Sequence, residues 1–268
     1  MSHYKIEAGT AQHIGDRAEQ QDRVALLTAP KAPGYMMAVV ADGMGSLNVG
    51  AMAAEQVLRT AKQAFDLFSP RTEDVVTLLR TIARDAHTLI KLNSISSEKK
   101  PHSTMAILVL TPERSAVWAH VGDSRLYRFD GPNCAERTVD HSQVENLVQQ
   151  GKLTYRQARE QKMPHVLYST LGSPESEPEI TVGKHANLKA GDAFLLCTDG
   201  LWRYFSRVEL GAAIAMNSPR QASEMLIAKA RERAQGHEAD NCTMAIIKLV
   251  EPASETRSYT VDRMRRAV

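Results

Sequence analysis

The chain has 268 residues, a formal net charge of +2, 43% hydrophobic and 24% charged residues, proportions that suit one globular domain with a sizeable core. Its basic residues are scattered through the body, which excludes the electrostatic footprint of a nucleic-acid binder. The N-terminus lacks the apolar stretch of a signal peptide, no segment reaches the length of a membrane span, and none of the three cysteines, Cys134, Cys197 and Cys242, sits in a Cys-x-x-Cys pair, so the expectation is a soluble cytoplasmic protein without disulfides or a thiolate zinc site.

Taken in order, short strands are predicted at residues 5–8 and 23–27, joined in hairpin fashion by a polar loop that carries Arg17 and Asp22. The unbroken apolar run from Tyr35 to Ala41 reads as a buried strand, and it stops abruptly at Asp42-Gly43. Beyond a glycine-rich turn, Ala51, Ala54, Val57, Leu58, Ala61, Phe65 and Phe68 recur at helical spacing. Ser69-Pro70 breaks that helix, and a second follows with Val75, Leu79, Ile82, Ala86 and Ile90 on its apolar face. Strands at 104–110, 116–121 and 126–129 read as an antiparallel meander, with Asp123 at the end of the second.

The polar stretch from Asp140 to about Pro178 holds two weak helical patterns, at 143–150 and around 155–161, and is expected to be a surface flap over a site, at about 142–178. Strand signals resume at 180–185 and 192–197, the latter running through Thr198 into Asp199-Gly200. A helix over 219–234 and a last strand at 242–250, preceded directly by Asp240-Asn241, complete a domain expected to end at residue 252. Residues 253–268 carry Arg257, Arg263, Arg265 and Arg266 with little apolar content and read as a mobile basic tail.

Five carboxylates thus stand at strand ends or just before strands: Asp22, Asp42, Asp123, Asp199 and Asp240. Acids crowded together repel unless cations neutralise them, and an all-oxygen cluster suits magnesium or manganese. Two such ions about 3.5–4 Å apart can bridge one water, lower its pKa and direct hydroxide at a phosphorus atom. The expected chemistry is hydrolysis of a phosphate ester, with Arg17 on the Asp22 loop offering a guanidinium fork to phosphate oxygens.

Arg17-x-x-x-x-Asp22, Val40-Ala41-Asp42-Gly43-Met44-Gly45, Gly122-Asp123-Ser124-Arg125, Asp140-His141-Ser142, Cys197-Thr198-Asp199-Gly200-Leu201 and Asp240-Asn241 resemble, in order, the motifs of the type 2C metal-dependent protein phosphatases, the PPM family, over about residues 5–250. The resemblance implies an α+β fold, a four-layer α-β-β-α sandwich of two antiparallel sheets flanked by helix pairs. It implies that Asp42, Asp199 and Asp240 hold two core Mg2+ or Mn2+ ions with the carbonyl of Gly43, that Asp22 acts through metal-bound water, and that Asp123 joins Asp199 around a third, weaker ion. Arg17 matches the phosphate-binding arginine. The implied activity is removal of phosphate from phosphoserine and phosphothreonine without a covalent intermediate. The implied partners are phosphorylated proteins and a cognate serine/threonine kinase, with no membrane anchor.

Two departures stand out. Gln20 and Gln21 precede Asp22 where relatives carry Asn and Glu. Met44 and Leu47 stand where relatives place a histidine, so no general acid is assigned. A catalytically weak pseudophosphatase that binds phosphoproteins is the alternative this raises. Among the remaining candidates, His141 is expected to anchor the flap, His120 to be a satisfied core histidine, and His165 to be an exposed flap residue. Ser124 and Ser142 lack the surroundings of a nucleophile.

Overall fold

The computed structural model describes residues 4–46, 48–95, 100–160, 166–234 and 238–252. Leu47, His165 and the tail from residue 253 lie outside them, as does any account of their roles. In chain order the elements are β1 (Lys5–His13), β2 (Arg23–Thr28), β3 (Met36–Ala41), β4 (Gly43–Met44), α1 (Val49–Leu67), α2 (Val75–Ile95), β5 (His102–Ser103), β6 (Met105–Leu110), β7 (Ala116–Val121), β8 (Arg125–Asp130) and β9 (Asn133–Arg137). There follow α3 (Gln143–Gln149), α4 (Tyr155–Glu160), β10 (Thr181–His185), β11 (Asp192–Cys197), α5 (Asp199–Trp202), α6 (Arg207–Met216), α7 (Pro219–Arg233) and β12 (Cys242–Val250).

Two five-stranded antiparallel sheets form the centre, one ordered β1-β12-β11-β8-β9 and the other β10-β7-β6-β3-β2. Strand alternation explains why β3 is apolar at every position. Ala38 and Val40 face the inter-sheet core with Leu108, Trp118, Phe194, Leu196 and Ile247, while Met37, Val39 and Ala41 pack outward against Val57 and Phe65 of α1 and Leu79 and Ile82 of α2. The other sheet repeats the scheme, with Phe129, Leu195 and Ile246 packed against Leu210 of α6 and Leu226 of α7. Each sheet is therefore covered on both faces, and each large side chain so buried contributes about 1.5–3 kcal/mol. This is the expected α-β-β-α sandwich.

Three expectations need correction. The third strand of the supposed meander does not pair with β7; β8 joins β11 and β9 in the opposite sheet. Gly122 makes the crossing possible: its φ of +91° is open to glycine alone without strain, and an added Cβ would come within 2.8 Å of Thr104. Nor do β1 and β2 form a hairpin, since β1 pairs with β12 along its whole length and β2 pairs with β3. The Arg17 loop consequently spans the two sheets. The flap, finally, is not wholly a surface feature: Asp140, His141, Ser142, Glu145, Ser169 and Leu171 at its base are buried, and bridges Ser142 to Leu167 and Ser103 to Leu171 stitch it down.

Candidate active site

Strand direction brings the acids together. β3, β7 and β11 end, and β2 and β12 begin, at one end of the sandwich, so that Asp42, Asp123, Asp199, Asp22 and Asp240 all collect there. Asp42, Asp123, Asp199, Asp240, Arg17 and Gly43 line a single cavity of about 520 Å3. Asp22 stands behind its wall, fully buried.

The backbone at this end is tightly held. Asp42 donates its N–H to Thr104 Oγ1 at 3.0 Å and its carbonyl accepts from Thr104 N–H at 2.9 Å. An added Cβ on Gly43 would lie 2.0 Å from the Gly50 carbonyl, so glycine is what allows the start of α1 to close on the site. Asn241 closes the other side: it accepts the Gln21 N–H and donates to the carbonyls of Ile14 at 2.7 Å and Glu19 at 3.0 Å. Ser124 is buried against Thr104 Oγ1 at 2.6 Å, and Ser142 caps α3 by accepting from Glu145 N–H. Both serines are thus committed to the scaffold.

Electrostatically the cluster is short of positive charge. Burial, and then the neighbouring Asp22, Asp199, Asp123 and Asp240, hold the Asp42 carboxyl well above the ordinary carboxylate range. Among the described residues no side chain donates a hydrogen bond to it. Burial likewise pushes Asp22 up to about 7, opposed by the hydroxyls of Thr198 and Thr243 and reinforced by Asp199 and Asp240; Thr198 Oγ1 donates to Asp22 Oδ2 at 2.8 Å. Asp240 is paired with Arg17 at 2.8 Å, and Asp199 with Arg203. With those two acids turned to guanidinium groups, no three His, Cys, Asp or Glu side chains among the described residues stand at metal-ligand spacing. The donor set nevertheless fits hard divalent cations: an oxygen-only cluster whose Asp42 carboxylate has no side-chain donor among the described residues and is disfavoured as an anion until a cation arrives.

Several residues of the site carried no assignment from sequence. Thr198, Glu19, Asn241, Trp202 and Arg203 are the principal ones. Arg203 could have been found from its spacing, four residues after Asp199 on one helical turn. His141 is buried between Gly122 and the flap: its Nδ1 accepts the Gly122 N–H at 3.1 Å, its backbone N–H donates to the Gly122 carbonyl at 2.9 Å, and its carbonyl accepts the Tyr168 N–H at 3.0 Å, contacts that suit a flap anchor. His120 departs from expectation. Its Nε2 lies 2.7 Å from the Val139 carbonyl, but its buried Nδ1 has no partner among the described residues.

Comparison with known proteins identifies the family and the fold. A family model described as protein phosphatase 2C matches residues 9–233. The protein phosphatase PhpP of Streptococcus pneumoniae is 25% identical over 228 residues, covering 83% of this chain and 89% of that one. The serine/threonine phosphatase of S. agalactiae superposes with a TM-score of 0.81 at 23% identity, over 92% of this chain and all of the other. The catalytic domain of the serine/threonine protein phosphatase PstP, solved in complex with two manganese ions, gives 0.74 at 23% identity, over 92% and 99%.

Proposed function

The chain belongs to the protein phosphatase 2C family and is a metal-dependent serine/threonine phosphatase, and from that premise we propose that Asp42, Asp199 and Asp240, with the Gly43 carbonyl, hold two Mn2+ or Mg2+ ions while Arg17 takes the substrate phosphate. The observation that carries this assignment is the convergence of four aspartates and Arg17 on one cavity from five separate segments of the chain. When bound, such ions neutralise the phosphoryl oxygens and lower the pKa of water, so that hydrolysis needs no nucleophilic side chain. The protein's own groups do the positioning. Thr198 fixes Asp22 behind the cluster, and Asn241 fixes the loop that carries Arg17. The Arg17–Asp240 pair keeps the guanidinium, half exposed, at the cavity's edge.

In this reading residues 1–252 form the catalytic domain, and the flap at about 142–178 selects the phosphoprotein. Leu167 supports the latter role, since it lines the cavity from the flap's return segment. The partners are phosphorylated serine and threonine proteins and the kinase that makes them, at a cytoplasmic site of action. Among the described residues no helix is long and apolar enough to cross a membrane. The phosphoprotein-binding alternative gains no support from the comparisons.

The test is manganese-dependent phosphate release from nitrophenyl phosphate and from a phosphothreonine peptide, parent against Asp199→Asn. The parent should turn over both substrates, and the variant should lose on the order of 10^3 in kcat/KM on each. A folded parent that binds manganese and releases no phosphate, or a variant as fast as the parent, overturns the assignment.

A further inference from the structure

The family resemblance implies a third cation between Asp123 and Asp199. Arg203 lies on that ground, lining the cavity with both acids and pairing its Nη2 with Asp199 Oδ2. The contact is built into the chain. α5 opens at Asp199, and the Arg203 N–H donates to the Asp199 carbonyl at 3.2 Å, so the guanidinium returns over the carboxylate one turn earlier. Trp202, the residue between, donates its indole N–H to the Asp123 carbonyl at 2.9 Å. Its ring is in turn held by the Arg125 guanidinium 3.5 Å from its centroid, and Arg125 is locked by Asp140 at 2.8 and 2.6 Å. Two consecutive residues of one short segment therefore meet both residues of the expected third site, Arg203 at the Asp199 carboxylate and Trp202 at the Asp123 backbone.

Arg17 differs in kind. It reaches Asp240 from a distant loop, whereas Arg203 stands beside Asp199 on the same helical turn. Charge counting points the same way. Glu19 and the five aspartates carry six negative charges when ionised, and two divalent ions with Arg17 and Arg203 supply six positive ones. In the substrate-free site a third divalent ion would face the Arg203 guanidinium across Asp199 and carry the cluster past neutrality.

We infer that Arg203 is a built-in cation that takes the place of the third metal ion, so that this phosphatase works with two ions and a tethered guanidinium. The inference rests on the two-ion reading above. It makes Arg203 a positioning residue for Asp199, and it removes the need for a weakly bound, exchangeable ion.

The experiment counts Mn2+ bound to the full chain by titration calorimetry, with free Mn2+ measured independently by electron paramagnetic resonance, for the parent, Arg203→Asp and Arg203→Ala. Two ions are expected in the parent up to millimolar Mn2+, and three in Arg203→Asp, the third at least tenfold weaker. Arg203→Ala should keep the two tight ions while its phosphatase rate acquires a dependence on millimolar Mn2+ that the parent lacks. A third ion in the parent overturns the inference while leaving the two-ion reading intact. Fewer than two tight ions in the parent overturns that reading itself. Should Arg203→Asp fail to fold, as judged by its circular dichroism melt, the parent count and the Arg203→Ala dependence decide: three ions, or no change in metal dependence, reject the proposal.

Discussion

The side-chain oxygen of Asn241 accepts the backbone N–H of Gln21 at 2.7 Å across 220 residues of sequence, and its amide donates to the carbonyls of Ile14 and Glu19. One side chain so fixes both ends of the loop that carries Arg17 and leads to Asp22. Asn241→Ala leaves one N–H and two carbonyls to find new partners in a half-buried setting, at a cost of about 1–3 kcal/mol. Urea unfolding should show that loss, and kcat/KM should fall at least tenfold, carried mainly by KM if Arg17 binds ground-state phosphate. Unchanged stability with unchanged KM would show that the loop is held elsewhere.

The metal-free protein should be strained by its own acids. Folding lifts the Asp22 carboxyl from the ordinary range to about 7, so between about pH 4 and 7 the folded chain holds a proton that the unfolded chain has released. Stability from this group is therefore intact below the unfolded value and lost as pH climbs through the window. Asp22→Asn can still accept from Thr198 and removes the titration. In chelator at pH 7.5 the variant should melt several degrees above the parent, and Mn2+ should abolish or reverse the difference. A metal-free variant that melts below the parent at pH 7.5 would refute the assignment of Asp22 as an unfavourably buried acid.

His120 and His141 act in the opposite sense. Their rings stack with centroids 4.5 Å apart, and burial pushes each down to about 4, with the neighbouring His141 ring adding to the effect on His120. Below about pH 6.5 the unfolded chain takes up protons that the folded chain refuses, so stability is lost as pH falls from 6.5 towards 4. Read in the metal-free Asp22→Asn background, where one of the two opposing acids is gone and only the raised Asp42 carboxyl still works against the pair, the melting temperature should drop across that window by about 5 °C or more. A flat profile would mean that the pair accepts charge in place.

Much of this was legible in the sequence because the acids sit where apolar strands stop. The run from Tyr35 to Ala41 and the run from Ala193 to Cys197 each end at an Asp-Gly pair, and strand ends of a sandwich share a rim. What could not be read was which sheet each strand joins. Residues 116–121 and 126–129 present the same short apolar runs whether the chain turns back or crosses over, and only the left-handed Gly122 decides it. β1 runs past the predicted residues 5–8 because Gly9, Thr10 and Gln12 blur the alternation while β12 supplies backbone partners as far as His13. α6 was missed for want of a strong apolar stripe, yet Ser206 and Glu209 form a capping box that marked its start. Arg203 carries no motif of its own, and only its place one helical turn after Asp199 marks it as the cation that neutralises that acid.

Met44 sets the last expectation. It is the second residue of β4, opposite His102 of β5, and it lines the cavity, while among the described residues no imidazole does. A thioether has no proton to give, so a departing serine alkoxide receives none from this position. A nitrophenolate leaving group is a far weaker base and needs none. Single-turnover rates on nitrophenyl phosphate should therefore exceed those on a phosphoserine peptide by on the order of 10^2, the usual worth of a positioned general acid. Met44→His should narrow that gap by raising the peptide rate and should add a limb to the pH profile on which rate falls as the imidazolium loses its proton. Equal single-turnover rates on the two substrates in the parent would mean that another group already protonates the leaving oxygen, and Met44→His would then change neither the ratio nor the profile.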